Sequence, residues 1–246
     1  MGCAYNKGVF RVFVPIYDGN DLKRIKFQYV TLFLIALNVT CFVFQMSGID
    51  RSVIASFAIV PVELTSVSIF GGHANFSGEA LPVPEVYTLL TYMFFHGDPL
   101  HIAGNMLFLW VFGDNVEDAC GHARFLFLYL ACGVIGGLTH VAFQAGSDAP
   151  LIGASAAVAG VISAYLVLHP RVRVWVLAFK LIPMRIPAVW LLGAWIAMQI
   201  AMVLLPQTGP VAWWAHIGGI VAGAVLVVAL RRPGVILFDQ RVTPSM

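Results

Sequence analysis

Six apolar runs, at about 27–46, 99–113, 125–144, 151–168, 187–205 and 211–230, constrain this 246-residue chain more than any other feature. A bilayer's hydrocarbon core is spanned by ~20 apolar residues of helix. Such a span must satisfy its own backbone hydrogen bonds, because lipid offers none. The runs therefore read as six transmembrane helices of an all-α integral membrane protein, with the second and fourth somewhat short. With 60% apolar and 11% charged residues, the chain has too little charge to cover a water-soluble fold of this size.

The basic residues orient the spans. With both termini in the cytoplasm, the inner segments are 1–26, 114–124, 169–186 and 231–246, and they hold every Lys and Arg but Arg51, thirteen of the fourteen. That is the positive-inside bias expected of an even span count. The division that follows is a cytoplasmic segment 1–26, a six-helix core 27–230 with a long outer loop at 47–97, and a cytoplasmic tail 231–246. The net charge of +2 gives no reason to expect nucleic acid as a partner. Cys41 and Cys132 fall in spans, and Cys3 and Cys120 on the reducing side, so no disulfide framework is expected. The first span reads as an uncleaved anchor, since no small-residue cleavage site accompanies it. Met1-Gly2 opens like a myristoylation signal, but Asn6 stands where Ser or Thr is required. In the outer loop, the apolar stretch 53–60 stops at Pro61 and is expected in the membrane interface, and Asn75-Phe76-Ser77 fits the glycosylation triplet. No soluble domain, low-complexity tract or internal repeat is evident.

Polar side chains inside spans are costly and default to functional candidates. Here they are His101, His140 and His216, with Asn105 and Ser155, and no Asp, Glu, Lys or Arg lies deep in any run. Asp98 and Pro99 suit the N-cap and first position of the second helix, which places His101 and Asn105 in its first turns. Pro150 precedes the fourth, putting Ser155 about five residues, roughly 7 Å, inside it. Pro210, Trp213 and Trp214 mark the interface before the sixth, and His216 follows at once. These three helices run in one direction, so the polar residues share a shallow layer beneath the outer face. His140 reads as deep in the third span, off that layer.

His101 and Asn105, four apart, share a helical face. Small residues surround Ser155, and Gly218, Gly219 and Gly223 line the sixth helix, allowing the close backbone approach that a Ser–His contact needs. A serine hydroxyl is a poor nucleophile until a base takes its proton, and neutral imidazole suits that task. With no carboxylate in the layer, a Ser155–His216 dyad without an orienting third member is expected. Asn105, His101 and the backbone N–H of Ser155 could serve as oxyanion donors. Singly, each has a plainer reading: a lone intramembrane serine usually bonds back to its own helix, and a lone His or Asn usually joins two helices. The coincidence of depth, face and complementary roles favours the catalytic reading.

The run from His96 to Leu107, His-Gly-Asp-Pro-Leu-His-Ile-Ala-Gly-Asn-Met-Leu, resembles the rhomboid signature of two histidines and an asparagine. Gly153-Ala154-Ser155-Ala156 resembles the rhomboid nucleophile motif, and Ala215-His216-Ile217-Gly218-Gly219 the catalytic-histidine helix. The resemblance covers nearly all of 27–230. It implies an intramembrane serine endopeptidase that cleaves transmembrane protein substrates within membrane lipid, using no metal or cofactor. It implies Ser155 as nucleophile, His216 as base, and His101 with Asn105 at the oxyanion. Two departures stand out. Ala156 replaces the usual glycine, adding a methyl beside the oxyanion pocket, and the Trp-Arg pair that many members carry in the first outer loop is missing. Two rivals remain: a pseudoprotease that binds membrane clients without cutting, and a haem or metal binder using His101 and His216 with His96 or His140. The short terminal segments suit a bacterial inner membrane, with an organelle membrane as the alternative.

Overall fold

The computed structural model describes residues 13–66, 83–179, 182–205, 209 and 211–239. Met1-Gly2, Cys3, the Asn75 triplet and Pro210 lie outside them. Six longer helices follow the six apolar runs: α1 (Tyr29–Met46), α5 (Pro99–Cys120), α6 (His122–Phe143), α7 (Ser155–Leu168), α8 (Ala188–Val203) and α9 (Trp213–Leu230). Among the described residues between α1 and α5 lie three short α-helices, α2 (Arg51–Ala55), α3 (Pro61–Ser66) and α4 (Glu85–Thr91). By length and composition α1, α6 and α9 can cross a membrane, while α7 and α8 are apolar but shorter.

The fold is mostly helical but not all-α. Strands β1 (Phe13–Asp18), β2 (Arg173–Ala178) and β3 (Ile182–Pro187) form an antiparallel sheet in that order, with Phe13 opposite Ala178 and Arg173 opposite Pro187. The expectation of helices alone overlooked a period of two: Val174, Val176 and Ala178 are buried while Arg173 is exposed and Trp175 and Leu177 half-buried. A β-branched residue at every second position is the pattern of a half-covered strand.

Helix α5 begins as the sequence predicts. The Asp98 carboxylate accepts from the N–H groups of Leu100 (2.8 Å) and His101 (3.0 Å), with Pro99 at the first helical position. It then runs well past residue 113, carrying Asp114, Glu117 and Asp118 of the expected inner segment 114–124 into the helix. Glu117 is fully buried yet satisfied. It accepts from Val30 N–H (3.0 Å), Thr31 N–H (2.8 Å) and the Thr31 hydroxyl (2.7 Å), and so caps the start of α1.

The loop stretch 53–60 packs against the segment that precedes α7. Ile59 is fully buried and exchanges backbone hydrogen bonds with Leu151 (3.1 and 2.8 Å). That pairing extends the chain before α7, so α7 starts at Ser155 itself and not several residues earlier.

Helix α7 is the core of the molecule, buried along nearly its whole length. It reaches α9 through bare backbone: a methyl on Gly219 would overlap the carbonyl of Ala156, and one on Gly223 the carbonyl of Gly160. On the other side, Gly136 of α6 lies where a Cβ would sit 2.6 Å from the Ala156 methyl and 2.7 Å from the Ala215 carbonyl oxygen. Three helices therefore meet at contact distances that only small residues permit.

Candidate active site

The N-termini of α5, α7 and α9 gather at one end of the bundle. His216, on the first turn of α9, puts its Nε2 2.9 Å from the Ser155 Oγ at the start of α7. The glycine contacts described above make this approach possible. Both side chains are half-buried. As the first residue of α7, Ser155 has a backbone N–H with no partner within the helix, and the late start of α7 is what frees it.

The turn before Ser155 depends on Gly153. Its φ of +128° is a conformation side chains disfavour, and a Cβ there would lie 2.6 Å from His101 Cε1. The His101 ring thus packs on the Gly153 backbone, two residues before the serine. Gly153 N–H donates to the Tyr92 carbonyl (2.9 Å). Ala154 N–H donates to His96 Nε2 (3.4 Å), and the His96 ring stands edge-on to His101 with centroids 5.1 Å apart. His96 is itself fixed by Gln45, whose amide pairs with its backbone N–H and carbonyl, both at 3.1 Å. His96 therefore supports the serine turn.

Asn105, one turn below His101 on α5, is 7% exposed, and its Nδ2 is buried without a hydrogen-bond partner. An amide donor left open in a protein interior is costly, and it is what a site would hold ready for an oxygen that arrives with substrate. The Ala156 methyl, which the sequence reading set beside the proposed oxyanion pocket, packs toward α6. It points at Gly136 of α6, which has no side chain to meet it. His140 also needs relocating. Helix α6 runs opposite to α7, so His140 lies in its last turn, at the same end as the site, and its Nδ1 is buried without a partner.

The sequence pattern did not single out Gln199. This side chain of α8 is 1% exposed, and its Oε1 lies 2.7 Å from His216 Nδ1. A lone amide in an apolar helix is a legible signal. It was missed because α8 runs against α5, α7 and α9, so the same end of the bundle is reached near the C-terminus of that span. Trp213 closes on His216 edge-to-face at 5.9 Å, and Trp195, one turn before Gln199, lies 6.4 Å away. Trp214 stacks on Phe143 at 3.7 Å and ties the start of α9 to the end of α6. Among the described residues no three His, Cys, Asp or Glu side chains form a set that could hold a metal ion.

The Rhomboid domain model matches residues 83–233, which span α4 to α9. The chain is 29% identical to the RHOMBOID-like protein 12, mitochondrial, of Arabidopsis thaliana over 165 residues, covering 60% of this chain and 47% of that one. It is 31% identical to the Rhomboid protease GluP of Bacillus subtilis over 162 residues, 66% of this chain and 29% of that one. It is 33% identical to the human Presenilin-associated rhomboid-like protein, mitochondrial, over 143 residues, 55% and 35% of the two chains. The chain thus spans less than half the length of these relatives. With mitochondrial proteins among them, a bacterial inner membrane is not borne out as its location. The matched domain and the apolar helices make this an integral membrane protein, and it belongs to the rhomboid family.

Proposed function

We propose that this chain is an intramembrane serine endopeptidase that hydrolyses peptide bonds in or near the transmembrane segments of other membrane proteins. The observation that carries the reading is the 2.9 Å contact between Ser155 Oγ and His216 Nε2 across the α7–α9 interface. In this mechanism His216 takes the hydroxyl proton as Ser155 attacks the scissile carbonyl, then gives it to the leaving amine. Water, activated by the same imidazole, hydrolyses the acyl-enzyme. The tetrahedral oxyanion is received by the Ser155 N–H and the open Nδ2 of Asn105, with His101 as a further donor. Helix N-terminal dipoles from α7 and α9 favour negative charge at that spot.

In the same proposal six helices cross the membrane, with residues 1–26 and 231–246 in the cytoplasm and the site just under the opposite face. The distribution of basic residues supports that orientation. Water reaches such a depth without crossing hydrocarbon, and a helical substrate must unwind there to expose a peptide bond. Substrates with glycine or other weak helix formers near that end of their span are expected to be preferred. The pseudoprotease alternative drew on Ala156, whose methyl faces Gly136 of α6.

The test is cleavage of a model transmembrane substrate by the purified full chain in detergent, with labelling by a fluorophosphonate in parallel. Cleavage is expected from the wild type and not from Ser155→Ala or His216→Ala, with label carried on Ser155. Cleavage that survives Ser155→Ala in pure protein would remove the assignment.

A further inference from the structure

The proposed chemistry needs more of His216 than proximity. Neutral imidazole carries one N–H, and it can serve as a base toward Ser155 only when that hydrogen is on Nδ1 and Nε2 is bare. Something must hold the ring in that tautomer. In soluble serine hydrolases a carboxylate does so, but within a bilayer a buried carboxylate is heavily penalised unless it is fully paired.

Gln199 supplies a neutral equivalent. Every other residue of α8 is apolar, glycine or tryptophan, so this amide is out of place unless its hydrogen bond is made. Its Oε1 accepts and cannot donate, and it lies 2.7 Å from Nδ1 while Ser155 Oγ lies 2.9 Å from Nε2. The ring is thus bonded at both nitrogens, and Trp213 closes on it at 5.9 Å.

Resting on the protease reading, we propose that Gln199 is a positioning residue whose side-chain oxygen accepts the Nδ1–H of His216 and so leaves Nε2 free to take the Ser155 proton. It touches neither substrate nor the reacting oxygen and acts only through the imidazole. An amide fixes tautomer and ring orientation without placing a charge in the membrane. Its dipole also favours the imidazolium that forms when the serine attacks.

Two measurements on the full chain in detergent test this. Nitrogen-15 NMR of ring-labelled histidine, with His216→Gln to assign the signal, should find His216 protonated on Nδ1 in the wild type. In Gln199→Met, which keeps length and removes the acceptor, the same signal should move toward a mixture of tautomers. Turnover of a transmembrane substrate should fall by about 10²-fold in kcat with KM little changed. That is less than the loss that follows removal of a charged orienting group. Gln199→Glu, which restores an acceptor, should recover most of that loss. A side chain that merely joins α8 to α9 would alter thermal stability and leave the tautomer untouched. The inference is overturned if wild-type His216 carries its hydrogen on Nε2, or if folded Gln199→Met turns over at the wild-type rate. Should Gln199→Met not fold, the wild-type tautomer decides alone. Nδ1–H in a wild type that never labels at Ser155 would instead sink the protease reading and leave the positioning role standing.

Discussion

Single side chains carry very different weights in this molecule, and Asn105 illustrates the extreme. Most buried amides have all their partners, since an unmade hydrogen bond in the interior costs about 1–3 kcal/mol. Asn105 leaves its Nδ2 open at the start of α5, one turn from the His101 ring that packs on Gly153. If that donor is held for the oxyanion, Asn105→Ala should lower kcat by about 10²–10³-fold. Its KM should change little, because the bond strengthens only as charge develops on the oxygen. The same substitution also removes an unsatisfied buried group, so thermal stability should hold or rise. Steady-state kinetics and a melting curve on one preparation separate the two effects. Loss of activity together with loss of stability would mark Asn105 as a structural residue.

At the level of helices, the site depends on how closely α7 and α9 approach. No side chain at Gly219 fits, because the Ala156 carbonyl already occupies its space. Gly219→Val should therefore force the two helices apart by about an ångström or more, at a cost of roughly 1–3 kcal/mol. Fluorophosphonate labelling of Ser155 should fail in protein that still purifies as a folded species. Labelling at the wild-type rate would mean that the pair tolerates a looser fit than the bare-backbone contact implies. This seam was legible in the sequence, because spaced glycines on one helix and small residues around a serine on another serve to bring two backbones together. The start of α5 was legible too, since Asp98-Pro99 is a cap with a physical reason for each residue. The start of α7 was not. It is set by the pairing of Ile59 with Leu151, a contact between segments distant in the chain that no local pattern announces. The sheet was missed for a different reason. In a chain this apolar, a short Val-rich strand is masked by the helical runs around it, although the alternation through Val174 and Val176 was there to be read. Gln199 fell between these cases: an isolated amide in an apolar helix is visible, but its partner on α9 is fixed only by the fold.

Across the whole molecule, the end opposite the Ser155–His216 pair is built from polar bonds that tie both terminal segments to the bundle. Asp18 of β1 accepts from the Tyr165 hydroxyl of α7 (2.6 Å) and from Asn115 Nδ2 of α5 (2.9 Å). Ile25 N–H donates to Asp118 (2.7 Å), and Arg232, Phe238 and Asp239 donate backbone N–H groups to the ends of α5 and α7. Burial raises the Asp18 carboxyl to about 7, and the nearby Asp114 adds to this against the opposing Tyr165 hydrogen bond. A raised carboxyl means that the folded state holds this proton more tightly than the unfolded chain does. Its contribution to stability is therefore complete below about pH 4, where both states are protonated. It fades as pH climbs toward 7, at about 1.4 kcal/mol per unit, or on the order of 4 kcal/mol in all. His169, at the end of α7, works the other way. Burial, aided by Lys23, holds it down to about 4 from an ordinary 6.5, so its contribution grows over most of the same range. The wild-type melting temperature alone would mix the two. Asp18→Asn retains an acceptor for Tyr165, cannot ionise, and leaves His169 in place, so the difference between the two proteins isolates Asp18. Melting in detergent from about pH 4.5 to 8 should show the variant gaining steadily on the wild type and overtaking it near the top of the range. Parallel curves would mean that Asp18 stays ionised in the folded protein, and that β1 is held by a carboxylate bearing its full charge.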